Sequence, residues 1–385
     1  MLKVLLLGAG TQALSIVKAL SNSGFKVYML FEESNYADVS RYVSKGIACD
    51  VSPISDDYLK LVEDIITGEG IDVLIPMGDG TAEFLSRNKA RLSKAAKFSI
   101  PNHDSFMKGY DKNSLMKLCA DRNYPHPKTV DLSAITDLES EELLRFPYPA
   151  ILKPNLTTGG RGMTVVTSYE DMVDRYLELR EQYGEYHLQR YVPAGARQIK
   201  IQLCIDNNGQ LLARSAMRKE RWFPIKGGSS CCAVSMKDEE MMGICLRLLR
   251  DINWEGFADF DLIEDPDTNE FLIMEINPRL PACIGAAVHA GVNWGQVLVD
   301  HALGNTIQHY DFKEGVALRH LGLDILWFIK SPNRMRSHPS WFHFFGKNVF
   351  YQDMDGWTDI KPFFCGTYRN LKKILDPSFK KSKSI

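Results

Sequence analysis

The stretch 256–279, GFADFDLIEDPDTNEFLIMEINPR, constrains the fold of this chain more tightly than any other. FADFDLI and FLIMEIN read as two strands, and the EDPDTNE between them carries Pro, Asp and Asn, residues that form turns. An antiparallel hairpin is predicted. Side chains alternate across a strand, so Asp259 and Asp261 share one face of the first strand and Glu275 and Asn277 one face of the second. Ala258, Phe260 and Leu262, with Leu272, Met274 and Ile276, take the other face. Three carboxylates and an amide oxygen thus gather where like charges repel. Either cations neutralise them, and oxygen-only ligands suit a hard ion such as Mg²⁺, or the face is the solvated side of an ordinary antiparallel sheet. Pro278 ends the ladder, and Arg279 arrives beside the cluster as a fixed cation able to hold a phosphate or carboxylate.

Elsewhere the strand and helix patterns alternate as in α/β proteins. The apolar run LKVLLL at 2–7 leads through Gly8, Ala9 and Gly10 into a helical pattern ending at Gly24, followed by the strand FKVYMLF and Glu32. That order, with GxGxxA at Gly8, Gly10 and Ala13, is the order of a dinucleotide-binding unit, and also of many α/β turns that serve only close helix–strand packing. A helix is expected over 56–67, then the strand IDVLIP and a loop at Met77–Thr81, with Asp79 and Thr81 as candidate substrate contacts. Further on, the strand AILKP precedes the Gly-rich NLTTGGRGM and a second strand, TVVT. Here Lys153 comes before Gly159, Gly160 and Gly162, unlike a P-loop; the glycines permit a mobile flap and close backbone approach, and Lys153 supplies a point charge. The strands RQIKIQLCID and QLLARSAMRK flank Asn207-Asn208-Gly209, a hairpin turn, and Arg218, Lys219 and Arg221 precede another Gly-rich loop at 227–230. One helix is expected over 237–251 and another over 285–303.

Composition excludes several classes. With 46 basic and 48 acidic side chains the net charge is −2, so no global field favours nucleic acid. Eight cysteines form no CxxC or zinc spacing, and Cys231-Cys232 are adjacent, which points to reduced thiols and a cytoplasmic setting. No run approaches the about 18 apolar residues of a membrane span. After Val316 the chain turns rich in aromatic and basic residues, a mixture that suits a membrane face or a lipid-linked substrate but, given the near-neutral overall charge, is read as packing over the larger domains.

ILKP with TTGGRGM, LQRYVPAG, KERWFPIKGGSS and MEINPR, taken together, resemble the ATP-grasp superfamily in its carbamoyl-phosphate-synthase-like and amino-acid-ligase-like branch. The resemblance implies a Rossmann-like pre-ATP-grasp domain over 1–105, a two-lobed ATP-grasp fold over 106–305 with its flap lobe at about 125–190, and a C-terminal extension over 306–385. It implies ATP contacts by Lys112 and Lys153, by the flap residues Thr158, Gly159, Gly160, Gly162 and Met163, and by the hinge residues Gln189, Arg190 and Val192. It further implies Mg²⁺, or Mn²⁺, on Asp261, Glu275 and Asn277, with Arg279, Lys219 and Arg218 steadying the transferred phosphoryl group. The acidic residue that many members place after the hinge is replaced here by Arg197. The activity implied is a carboxylate–amine ligase working through an acyl phosphate on small-molecule substrates, in a chain that could dimerise. Carboxyphosphate chemistry, an NAD(P)-dependent oxidoreductase using Gly8–Ala13, and a nucleotide-binding regulatory protein are the alternatives at this point.

Overall fold

The structure is a computed structural model, and it describes residues 1–135, 137–156, 162–193, 195–225, 228–354 and 358–375. Its frame is three sheets. The first is parallel: β1 (Lys3–Leu7), β2 (Lys26–Phe31), β3 (Val43–Ala48) and β4 (Val73–Pro76), in the order β3-β2-β1-β4. Leu5, Leu6 and Leu7 are fully buried, as continuous apolar runs covered by helices on both faces require. Gly8 turns the chain at φ 126°, where a Cβ would sit 3.1 Å from Met77 Cβ, and the Gln12 amide nitrogen donates to the Met77 carbonyl at 2.6 Å. Gln352 donates to Thr11 Oγ1 at 2.8 Å from the far end of the chain. The Gly-rich turn is therefore closed by the protein's own amides.

The second sheet is small and antiparallel: β5 (Thr129–Asp131), β6 (Ala150–Pro154), β7 (Thr164–Val166) and β8 (Tyr186–Arg190), in the order β5-β8-β6-β7. It packs on the helix Tyr169–Tyr183 through its own core of Leu152, Val166, Met172, Tyr176 and Leu188. Ser168 caps that helix by accepting from Asp171 N at 3.2 Å.

The third sheet has seven strands: β9 (Gln198–Ile205), β10 (Leu211–Phe223), β11 (Ser229–Ser235), β12 (Gly256–Glu264), β13 (Phe271–Asn277), β14 (Ala317–Arg319) and β15 (Val349–Tyr351). Their order is β13-β12-β9-β10-β11-β14-β15. Ile199, Ile201, Leu203, Ala258, Phe260 and Leu262 line one face and join a core that runs on into the first sheet. The segment after Val316 does more than cover other elements, because it adds β14 and β15 to this sheet.

Three local expectations need correction. Met77–Thr81 is not a loop, because Asp79 opens the helix Asp79–Arg87; Thr81 Oγ1 accepts from Gly78 N at 3.1 Å and donates to the Leu7 carbonyl at 3.1 Å. Thr81 is thus a buried cap. The helix expected over 285–303 is two, Gly285–Ala290 and Trp294–Leu303, broken where Gly291 takes φ 121° and Asn293 caps the second by accepting from Gln296 N at 3.1 Å. β10 runs to Phe223, past the expected strand end at Lys219, because β11 continues to pair with it across a bulge between Lys219 and Arg221.

Candidate active site

The acidic hairpin forms, with Asp259 opposite Asn277 and Asp261 opposite Glu275; a bulge between Asp261 and Leu262 then puts Ile273 on the core face in place of the expected Leu272 and Met274, which pack with Val192 and Ile263 instead. It is not an open face. β12 lies inside the sheet, so Asp259 and Asp261 also stand opposite Gln202 and Lys200 of β9. Cross-strand partners in an antiparallel pair share a side, which brings all six polar groups together.

Lys200, only 7% exposed, holds the cluster: its Nζ lies 2.7 Å from both Asp259 Oδ2 and Asp261 Oδ2. Lys219 Nζ reaches Asp261 Oδ1 at 3.0 Å from β10, and the Gln202 amide donates to Asp259 Oδ1 at 2.6 Å. The Asn277 amide nitrogen donates to Asp261 Oδ2 at 3.1 Å. Burial pushes the Asp261 carboxyl up, but Lys200 and Lys219 override it and hold it far below the usual carboxylate range. Burial likewise raises Asp259, with Lys200 pulling the other way. For Lys200 itself burial opposes the charge, and the two aspartates more than offset it, so its pKa rises. Two of the three carboxylates are thus neutralised by lysines. Glu275 keeps the outer position, its side chain 36% accessible and its Oε2 3.7 Å from Lys112 Nζ.

Arg279 closes one end of the cluster. Its Nε donates to Asp79 Oδ1 at 3.1 Å, and its Nη2 to Asn277 Oδ1 at 3.3 Å, joining the parallel sheet to the hairpin. Opposite, the small sheet presents Lys153, 8% exposed, whose Nζ donates to Gln189 Oε1 at 2.5 Å; no carboxylate pairs with it among the described residues. Burial lowers its pKa to about 8, with the Glu275 charge working against that shift. Next to it on β8, facing it across the β6–β8 pair, His187 is buried; Asn155 Oδ1 meets its Nδ1 at 2.8 Å, and its Nε2 has no partner among the described residues. Burial and the Lys153 charge keep His187 neutral, well below its ordinary pKa. A cleft between two sheets therefore carries Lys153 on one wall and, on the other, a partly neutralised acidic face with Lys112 beside Glu275.

Residues 111–290 match the family model described as the ATP-binding domain of the carbamoyl-phosphate synthase L chain. That match, over just under half of the chain, places residues 111–290 in the ATP-grasp superfamily. It is 24% identical over 222 residues to a D-aspartate ligase of Enterococcus faecium, covering 54% of this chain and 53% of the ligase. It is 22% identical over 286 residues to the carbamoyl phosphate synthase large chain of Clostridium acetobutylicum, covering 71% of this chain and 26% of that one. The chain thus spans about half the length of the first relative and about a quarter of the second. Among solved structures, a biotin carboxylase–βγ-ATP complex from Campylobacter jejuni superposes with a TM-score of 0.66 at 18% identity, over 80% of this chain and 73% of that one. The ATP-grasp fold accounts for the two facing sheets.

Within this ATP-grasp cleft the expected site residues divide. Asp261, Glu275, Asn277, Arg279, Lys219, Lys112 and Lys153 converge. Arg218 does not: β10 alternates, so Arg218 stands opposite Ile199 and Val234 on the other face and pairs with Glu220, Nε to Oε1 at 2.6 Å. Among the hinge residues, Gln189 spends its side chain on Lys153 and on Thr129 Oγ1 at 3.0 Å, Arg190 is held by Asp265, and Val192 packs with Ile263 and Leu272. Gly162 sits at φ 72°, its carbonyl accepting from Tyr186 OH at 2.9 Å, and Met163 follows it into β7. Thr158, Gly159 and Gly160 lie outside the described residues. Arg197 is ion-paired with Glu264.

Sequence reasoning missed Lys200 and Gln202. The signal was there: in QIKIQLCI the polar Gln198, Lys200 and Gln202 stand at i, i+2 and i+4, on one face of a strand whose other face is apolar, and Lys200 and Gln202 are the inner pair. Without the strand order, that pair has no assigned partner.

Proposed function

We propose that this chain is an ATP-dependent ligase that joins a small carboxylic acid to an amine through an acyl phosphate. The observation that carries the reading is the cleft itself, in which Lys112 and Lys153 face an outward Glu275 whose neighbouring aspartates are already neutralised. A carboxylate attacking a triphosphate brings anion against anion, so a fixed set of cations is the main requirement. The donors fit. The polar Nε2 of His187 is unpartnered and buried on the strand beside Lys153, as in a cleft built for a polar ligand, and Lys153 has only an amide oxygen to release. Mg²⁺ takes one or two carboxylates and completes its shell with phosphate oxygens and water. Glu275, Asn277 Oδ1 and Asp261 are the residues that would hold it, and bound there it would offset triphosphate charge. Arg279, anchored by Asp79, is positioned to steady the transferred group, and Lys219 to keep Asp261 ionised. The closed Gly8–Gln12 turn argues against a dinucleotide at that end.

Similarity to a D-aspartate ligase supports an amino-acid-like acid as one substrate class. ADP release, measured with Mg-ATP against a panel of acids paired with amines, should require both members of one pair. Mg-ATP bound by the chain without release for any pair overturns the ligase reading. Glu275→Gln should cut turnover by about 100-fold or more, and unchanged turnover overturns the metal assignment.

A further inference from the structure

A cavity of about 360 Å³ opens on the opposite face of the seven-stranded sheet from Asp261. The register fixes the sides: Asp261, Lys200 and Met217 share the cleft face, whereas Arg218, Val234 and Ala317 share the other. The bulge at Glu220 brings Arg221 opposite Cys232, and thereby beside Arg319, which stands opposite the same cysteine. Lys347, from the segment before β15, completes the wall.

The charges there do not balance. Arg221 and Arg319 share the single carboxylate of Asp324, at 2.7 Å from Arg221 Nε to Oδ1 and 2.7 Å from Arg319 Nη2 to Oδ2. Arg218 is matched by Glu220, and Lys347 ion-pairs with no described residue. Four cations against two carboxylates leave a surplus of two positive charges. Arg319 is only 1% exposed, and its Nη2, though near Asp324, makes no aligned hydrogen bond. A buried guanidinium N–H left so is costly unless something accepts from it. Val234, Ala317 and Val349 make part of the same wall apolar. The volume is that of a small-molecule pocket.

We propose that this cavity binds a small organic dianion, its charged groups against the arginines and Lys347 and its hydrocarbon body against Val234, Ala317 and Val349. Guanidinium forks accept carboxylate and phosphate alike, so the two sources must be separated by experiment. Trp327 and Trp341 report on the site, because the Arg221 and Arg319 guanidinium carbons lie 5.4 Å and 5.8 Å from their rings. Tryptophan fluorescence of the full chain is titrated with adipate and with phenyl phosphate against NaCl of matched ionic strength. A saturable change with Kd below about 1 mM is expected for at least one of them. Response to adipate alone assigns a dicarboxylate, to phenyl phosphate alone a phosphate ester, and to both a site that selects charge and size. Arg218→Gln and Lys347→Ala should each weaken binding about tenfold. Lys347 is exposed and outside the cleft, so Lys347→Ala should keep its fold and its Mg-ATP affinity. No saturable change beyond NaCl, or affinity unchanged from the parent chain in both variants, overturns the proposal.

Discussion

Two buried ionic clusters lie on opposite faces of one sheet and are built from different chemistry. On the cleft face, Lys200 and Lys219 meet Asp259 and Asp261, point charges on flexible stems that leave Glu275 facing outward. On the far face, Arg221 and Arg319 fork onto Asp324, and the same side chains donate to the Pro339 carbonyl at 2.7 Å and the His343 carbonyl at 2.8 Å. The Trp341 indole adds a donation to the Asp324 carbonyl at 3.0 Å, and Arg319 stacks 4.5 Å from the Phe344 ring centroid. Arginine's rigid fork pins a chain segment in place; lysine neutralises a carboxylate while committing little else. The far cluster thus fastens the aromatic segment to the sheet, and the cleft cluster keeps an acidic surface ionised and available.

Breaking each cluster should expose that difference, and Asp324→Ala carries the largest effect. It leaves two arginines buried without a counter-charge, and urea unfolding should record a loss of about 3–5 kcal/mol, with any fall in activity following the folded fraction. A loss below about 1 kcal/mol would show the far cluster to be ornamental to the fold.

Lys200→Met should cost less, about 2–3 kcal/mol, because Gln202 still donates to Asp259 and the carboxyl can take up a proton. The pH dependence gives the sharper reading. With its pKa raised in the folded variant, Asp259 contributes stability at low pH that is lost as pH rises, so the deficit should be larger at pH 8 than at pH 5. An equal deficit at both would mean that Lys200 acts by packing alone.

The smallest effect belongs to Lys153 across the cleft. Burial sets its folded pKa near 8, below its ordinary value, so between those two values the folded chain binds fewer protons than the unfolded one and stability rises with pH. Nucleotide affinity should run the other way, weakening severalfold above pH 8 as the ammonium is lost, and Lys153→Arg should flatten that slope. A slope unchanged in the variant would move the phosphate contact elsewhere.

The acidic hairpin was legible because its two strands are adjacent in sequence and a period of two assigns faces without any tertiary knowledge. The Asn207–Gly209 turn was equally local. Arg218 was misplaced for the opposite reason: neighbouring residues of one strand face opposite ways, and which of Arg218 and Lys219 meets Asp261 depends on which face the cleft occupies.

By itself the amino-acid sequence determined where strands, turns and acidic faces occur, since these follow from neighbours a few residues apart. Only the tertiary structure decided what neutralises them. Lys200 lies about sixty positions from Asp259 and Asp261, Asp79 two hundred from Arg279, and Asp324 about a hundred from Arg221. Charge pairing acts over a few ångströms of space, and strand order, not chain order, sets that distance.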